Sequence, residues 1–173
     1  MKKQKIINVI FWGIFILYLI LMLGIVFMRV RMNSNSINFI PFKSIAEGIN
    51  VYDGIRYRLI DDQVWGNVVI FVPAGIYLMV LNKKSSILKA LLTIFFISLS
   101  IKIIQYVFRI GASDIDDIIL NCFGGGIGIL IYLLLEKLFK TKEKIKKVIT
   151  IASLCVGVPI LIIVLLLIFV NYM

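Results

Sequence analysis

The residues of this chain that could do chemistry are concentrated around one short connection between two long apolar runs. Three acids, Asp114, Asp116 and Asp117, follow that connection within four positions. Carboxylates held together in an apolar environment can keep a proton at neutral pH, which suits a general base. Acids also favour the first turn of a helix, and Ser113 or Asp114 could cap the helix that follows. We therefore expect Asp114 to act as a cap, which leaves the other two acids to be explained.

A basic and polar stripe precedes the same connection. Lys102, Gln105 and Arg109 are spaced by three and four residues, so they share one face of a helix. At about 1.5 Å per residue, Lys102 lies roughly 10 Å below the end of that helix. A lysine at this depth in lipid is costly unless it is paired, and it is a functional candidate by default. We expect Lys102 to face Asp116 or Asp117, with a salt bridge that only fixes helix packing as the alternative.

Amide side chains extend this polar centre. An asparagine inside lipid must find a hydrogen-bond partner, so Asn67 and Asn121 are expected to face the helix bundle beside Gln105. Asn38 belongs to the polar segment that follows the first apolar run. The predicted ligand-binding centre comprises Asn38, Asn67, Lys102, Gln105, Arg109, Asp114, Asp116, Asp117 and Asn121.

The composition argues against several kinds of catalytic site. The chain has no histidine, so no imidazole can act as a base or a metal ligand. Its two cysteines, Cys122 and Cys155, lie within apolar runs and are expected to be packing residues. The three acids lack the spacing of a metal-binding motif, although they could in principle hold a divalent ion. We expect neither a metal nor a cofactor, and an enzyme is the less favoured interpretation.

The elements that must position these residues are membrane-spanning helices. Hydrophobic residues make up 61% and charged residues 16% of the 173 residues, more apolar surface than a soluble domain of this size can bury. The apolar runs predict an all-α, polytopic helix bundle, a single membrane domain over residues 1–173. The predicted spans are 6–28, 64–81, 87–108, 118–135 and 148–170.

The distribution of basic residues predicts the orientation. Of 19 lysines and arginines, twelve fall on the amino-terminal side of the predicted spans, six fall on the opposite side, and Lys102 lies within a span. Such an excess marks the cytoplasmic side, so the amino terminus is predicted inside and the carboxyl terminus outside. Basic residues clustered between spans also favour a membrane protein over a nucleic-acid-binding one. The polar centre would then lie near the outer surface.

Two further segments suggest contacts. Residues 33–62 form a predicted outer amphipathic segment, in which Pro41 would begin a short helix from Phe42 to Ile49. The sequence does not decide whether this helix rests on the bilayer or enters it. Gly124 and Gly128 form a small-xxx-small surface, which favours close packing against another helix or a homo-oligomer through these glycines.

An ordered set of short motifs resembles the VanZ-like family. The motifs are Asn38–Phe39–Ile40–Pro41–Phe42, Asn67, Phe71–Val72–Pro73–Ala74–Gly75, Gln105, Asp114–Ile115–Asp116–Asp117, Asn121 and Gly124–Gly125. The resemblance spans roughly residues 37–135. It departs from the family at Lys102, where a glutamate is common, and at Ala74, where a phenylalanine is common. The resemblance implies a multi-pass protein of the bacterial plasma membrane, in the envelope of a Gram-positive cell, associated with low-level resistance to the lipid-bearing glycopeptide teicoplanin.

The leading hypothesis is a polar site that binds an amphiphile at the outer leaflet. The partners would be membrane lipids together with a lipid-linked cell-wall precursor or the lipoglycopeptide itself, and Arg56, Arg58 and Arg109 could meet phosphates. One alternative is an enzyme that acts on a lipid-linked headgroup through Asp116 or Asp117. Another is a structural scaffold that binds a protein partner.

Overall fold

Long helices form most of the chain, as the apolar runs predict. The computed structural model describes residues 2–28, 37–52, 57–81, 86–108, 110 and 113–172. Its helices are α1 Lys2–Met28, α2 Lys43–Glu47, α3 Asp62–Leu81, α4 Ile87–Phe108, α5 Ile115–Phe139 and α6 Lys142–Tyr172. Its short strands are β1 Ile37–Asn38, β2 Ile49–Tyr52, β3 Tyr57–Ile60 and β4 Ser113–Asp114. The all-α, membrane-type fold class is confirmed.

Four helices in the described part of the chain are long and apolar enough to cross a membrane. They are Gln4–Phe27, Asp62–Leu81, Ile87–Phe108 and Ile115–Phe139, which correspond to the first four predicted spans. The helices α3 and α5 begin two and three residues earlier than predicted, because their acidic first turns favour a helix N-terminus although they are not apolar. The fifth predicted span lies within α6, whose side chains from residue 159 onward lie outside the described residues. That span and the predicted sidedness of the termini stay predictions.

The chain divides into two compact units. The first unit contains Met1–Ile20 and Leu135–Met173, and the second contains Leu21–Leu134. In the first unit the side chains of Phe11, Ile145 and Ile149 are buried. The polar residues singled out by the sequence belong to the second unit.

Within the second unit, α3 and α5 approach each other through glycines. A Cβ added to Gly124 would overlap the carbonyl oxygen of Val68, and one added to Gly128 would overlap that of Val72. Such contact between backbones is possible only where one helix presents small residues. The predicted packing of the glycine stripe against a helix is therefore present within the chain. The homo-oligomer through Gly124 and Gly128 stays a prediction, and it would require this internal contact to open.

The segment between α1 and α3 contains less helix than predicted. The helix α2 is five residues long, Lys43–Glu47, and the chain then forms an antiparallel hairpin in which Ile49 pairs with Ile60. Apolar and polar residues alternate in Ile49–Asn50–Val51–Tyr52, a pattern typical of a strand that the helix prediction overlooked. The hairpin closes where the backbone N–H of Asp61 donates to the carbonyl of Gly48 at 2.7 Å.

A two-residue parallel pairing joins distant parts of the second unit. The strand β1 pairs with β4, with Ile37 opposite Ser113 and Asn38 opposite Asp114. This register places the segment that precedes α2 directly beside the start of α5. The acids of α5 and the polar residues of α2 therefore meet at the same end of the helices, which we call the α2 end.

Candidate functional site

An ion pair between α4 and α5 lies at the centre of the polar cluster. The ammonium of Lys102 pairs with Oδ2 of Asp117, and Nδ2 of Asn67 on α3 donates to Oδ1 of the same carboxylate. The side chains of Lys102 and Asp117 are 12% and 25% exposed. A largely buried lysine is tolerated when a carboxylate lies against it. Three helices thus contribute to one compensated polar group.

Asp116 has a different role, which excludes it as the partner of Lys102. Its side chain is fully buried. Its Oδ1 accepts the backbone N–H of Phe42 at 2.6 Å, and its Oδ2 accepts those of Ser44 at 2.7 Å and Ile45 at 3.2 Å. Because consecutive residues of a helix point in different directions, only one of the two neighbouring acids can face α4. Asp116 stabilises the start of α2 by binding its unpaired N–H groups.

Asp114 fixes the same segment from the other side. Oδ1 of Asp114 accepts a hydrogen bond from Nδ2 of Asn38 at 3.2 Å. It also accepts one from the backbone N–H of Asp116, in the first turn of α5, at 3.0 Å. The hydroxyl of Ser44 donates to Oδ2 of Asp114. The predicted capping role of Asp114 is present, since its carboxylate binds an N–H at the start of α5. The same carboxylate also connects α5 to α2, which the sequence did not indicate.

Asn38 and Phe42 shape the turn into α2. Oδ1 of Asn38 accepts the N–H of Ile40 at 3.1 Å, as in an Asx turn, while its amide nitrogen also donates to Ser44 at 3.0 Å. Phe42 adopts a left-handed conformation with φ of 66°. This conformation costs a residue with a Cβ about 1–2 kcal/mol. The hydrogen bond from Phe42 to Asp116 holds the residue there.

Gln105 and Asn121 line the same cavity as the ion pair, but their amide nitrogens donate to groups other than Lys102 and Asp117. Nε2 of Gln105 donates to the carbonyl of Val26 on α1 at 3.0 Å, and Nδ2 of Asn121 donates to the hydroxyl of Ser98 at 2.8 Å. The residues are 6% and 5% exposed. Within the described part of the chain, Oε1 of Gln105 and Oδ1 of Asn121 are buried without a hydrogen-bond partner. The two amides therefore connect neighbouring helices through their nitrogen atoms, and the oxygen atom of each amide accepts no hydrogen bond from the described residues.

These side chains surround a cavity of about 410 Å³ at the α2 end. Seven of the nine predicted site residues line it: Asn38, Asn67, Lys102, Gln105, Asp114, Asp117 and Asn121. Asp116 does not line the cavity, because its carboxylate points to the start of α2. Arg109 lies outside the described residues, as do Arg56 and the side chain of Arg58. The contact of these arginines with phosphate stays a prediction.

The structure adds cavity residues that the sequence did not identify. The helix α2 contributes Lys43, Ser44 and Glu47, the residue before α3 contributes Asp61, and the first turn of α3 contributes Gln63. A usable signal was the spacing of Lys43, Ser44 and Glu47 by one and four residues, which places them on one side of a short helix. The amphipathic pattern alone predicts that the apolar residues of this helix face the bilayer. The polar side of α2 faces the cavity.

The carboxylates of Asp114 and Asp116 are bound to N–H and hydroxyl donors of α2 and α5. Among the described residues, no group of three histidines, cysteines, aspartates or glutamates could hold a metal ion. The arrangement can instead bind hydrogen-bonding groups of a ligand.

Comparisons with known proteins extend the resemblance found in the motifs. The family model described as VanZ/LLP1 matches residues 15–136, a range that includes the second half of α1, where none of the motifs lies. Protein VanZ from Enterococcus faecium is 31% identical to the chain over 165 residues, which cover 91% of this chain and 90% of that protein. No solved structure matches the chain.

Proposed function

We propose, since this chain belongs to the VanZ-like family, that it acts in the bacterial plasma membrane in resistance to glycopeptides such as teicoplanin. It does so by binding the polar part of an amphiphile in the cavity at the α2 end. The charge distribution of the sequence supports a multi-pass orientation in which this end faces outward. The amphiphile is a lipid-linked cell-wall precursor or the antibiotic itself.

The observation that carries this proposal is a polar cavity enclosed by apolar helices. Its volume of about 410 Å³ lies in the range of sites for small ligands. Lys102 lies six residues before the end of α4, so the cavity reaches about 9 Å into the helices. This depth is suitable for a headgroup held at the surface of a bilayer.

An apolar groove beside the cavity supports an amphiphilic ligand. The groove lies between α1 and α4, has a volume of about 450 Å³, and shares Ile101 with the polar cavity. Two hydroxyls line it, but that of Thr93 donates to the carbonyl of Lys89 and that of Ser100 to the carbonyl of Phe96. The groove thus offers a predominantly apolar surface, which can receive the acyl chain of a ligand whose headgroup lies in the cavity.

The groove has a suitable length for one acyl chain. Its residues on α4 run from Thr93 to Ile104, a rise of about 16 Å. This length is about half of the hydrocarbon core of a bilayer, which is about 30 Å thick. A chain in the groove would therefore reach the middle of the membrane.

Resistance of a sensitive Gram-positive host tests the proposal. Expression of the chain should raise the concentration of teicoplanin that inhibits growth. The variant Asp117→Asn should reduce that protection, because it removes the negative charge that compensates Lys102 in the cavity. Asp62→Asn is the matched control, since Asp62 is an exposed acid in the first turn of α3 that does not line the cavity. Full protection by Asp117→Asn at equal protein abundance would reject the cavity as the site of action.

Purified protein incubated with a labelled lipid-linked wall precursor provides a second test. We expect saturable binding without a product. Formation of a product would show that the protein is an enzyme. Catalysis would then be expected to depend on Asp117, because Asp117 lines the cavity and Asp116 does not.

A further inference from the structure

We infer that two amides of the cavity lining, those of Gln105 and Asn121, bind uncharged hydroxyl groups, so that the part of the ligand held there is a sugar or another polyol rather than a phosphate. This inference rests on the proposed function, because it names the chemical class of the group held in the same cavity. It follows from these two buried amides and from the charge balance of the described cavity lining.

Gln105 supplies the first acceptor. Its amide orientation is fixed, because the carbonyl of Val26 can only accept a hydrogen bond and must face Nε2. Oε1 is therefore the atom left buried without a partner among the described residues. An unsatisfied buried acceptor costs about 1–3 kcal/mol, and a donor on the ligand would recover that cost.

Asn121 supplies the second polar group. Ser98 can either donate or accept, so the amide of Asn121 can bind it through either end. In one orientation the end left over is an acceptor, and in the other it is a donor. A hydroxyl group satisfies both cases because it donates and accepts. A polyol has several hydroxyls, so one can donate to Oε1 of Gln105 while another pairs with Asn121.

A phosphate does not match these two amides. On the same helix as Gln105, Lys102 is already paired with Asp117 and so has little attraction left for an anion. Among the described residues, the cavity lining contains two lysines, Lys43 and Lys102, and four carboxylates. The carboxylates belong to Glu47, Asp61, Asp114 and Asp117. A phosphate only accepts hydrogen bonds when ionised, so it would leave Oε1 of Gln105 unpaired and would face an excess of negative charge.

Native mass spectrometry of the full chain in the sugar-free detergent lauryldimethylamine oxide tests this inference. The protein is mixed with equal amounts of diglucosyl-diacylglycerol and phosphatidylmethanol, a phosphodiester lipid whose headgroup has no hydroxyl group; the two lipids carry identical acyl chains. We expect glucolipid adducts to exceed phosphatidylmethanol adducts about tenfold. Teicoplanin in a parallel experiment distinguishes a membrane glycolipid from the antibiotic as the source of the hydroxyls.

Two substitutions test whether the preference for the glucolipid depends on the amides of Gln105 and Asn121. Asn121→Leu and Gln105→Leu should each weaken glucolipid binding about three- to tenfold, the value of one hydrogen bond. Ser98→Ala is the matched control, because it removes the same hydrogen bond to Asn121 from a buried residue that does not line the cavity. It should leave the preference unchanged. The comparison of the two lipids in the unsubstituted protein remains decisive even if a variant fails to fold.

The outcomes separate this inference from the proposed function. Equal binding of both lipids would mean that water alone satisfies the two amides, and a preference for phosphatidylmethanol would mean that the cavity selects phosphate. Either result overturns the inference while amphiphile binding stands. Absence of adducts with both lipids, with teicoplanin and with the lipid-linked wall precursor would overturn the proposed function itself.

Discussion

Asp116 and Asp117 are consecutive on α5, yet their carboxylates bind different helices. Asp116 accepts three backbone N–H groups at the start of α2, and Asp117 pairs with Lys102 of α4. One acid therefore positions the segment at the mouth of the cavity, and the other forms part of the cavity wall. The roles of the two acids can be separated by substitution.

The ion pair should behave as one energetic unit. Asp117→Leu leaves Lys102 as an unpaired charge among helices, which should lower the free energy of unfolding by up to about 3–5 kcal/mol. Adding Lys102→Met to that variant should recover most of the loss, because no charge is then left unpaired. Reversible unfolding in mixed micelles measures both variants. Strictly additive losses in the double variant would show that the two side chains do not interact.

Asp116 should control the order of α2. Asp116→Asn removes the charge from three hydrogen bonds, so the amides of Phe42, Ser44 and Ile45 should exchange with solvent about ten- to a hundredfold faster. Hydrogen exchange followed by mass spectrometry of peptides covering residues 42–47 measures the rate. Asp62→Asn provides the control and should leave exchange in this segment unchanged. Identical exchange rates in both variants would show that Asp116 does not stabilise α2.

The glycines of α5 should differ sharply in their tolerance of alanine. Gly124→Ala and Gly128→Ala each force a Cβ against a carbonyl of α3 and should destabilise the protein by about 1–3 kcal/mol. Gly126→Ala is matched in chemistry and helix, but its Cβ meets open space and should stabilise by up to about 1 kcal/mol. Thermal unfolding in detergent ranks the three variants. Equal effects would mean that α3 does not pack on this stripe.

The left-handed residue before α2 gives a matched comparison of backbone strain. Phe42→Gly and Phe42→Ala lose the same exposed ring, but only glycine adopts a φ of 66° without cost. We expect the glycine variant to be more stable than the alanine variant by about 1 kcal/mol. The same unfolding measurement compares them. An alanine variant more stable than the glycine variant would show that residue 42 does not adopt the left-handed conformation.

The sequence predicted the first four long apolar helices well because hydropathy alone determines where such helices lie. It also placed Lys102 near an acid of α5, because an intramembrane cation needs a partner. It could not choose between Asp116 and Asp117, since that choice depends on the position of α2, which packs from a distant part of the chain. The strands β1 and β4 are two residues long, too short to produce a pattern.

The polar side of α2 was missed for a related reason. The apolar residues around Pro41 suggested a helix oriented by the bilayer, while Lys43, Ser44 and Glu47 received no role. Their orientation is fixed by hydrogen bonds from Ser44 to Asp114 and Asp116, which join residues about seventy positions apart. Local spacing carries no information about such contacts. The sequence predicted Lys102 as the partner of an acid of α5, but it did not predict the partners of Asp114 and Asp116 at the start of α2.

Equilibrium binding of fluorescently labelled teicoplanin to the protein in phosphatidylcholine nanodiscs measures whether the cavity is the ligand site. We expect saturable binding that Asp117→Asn weakens about tenfold or more and that Asp62→Asn leaves unchanged. Binding by Asp117→Asn equal to that of the unsubstituted protein would contradict a ligand site built around Lys102 and Asp117.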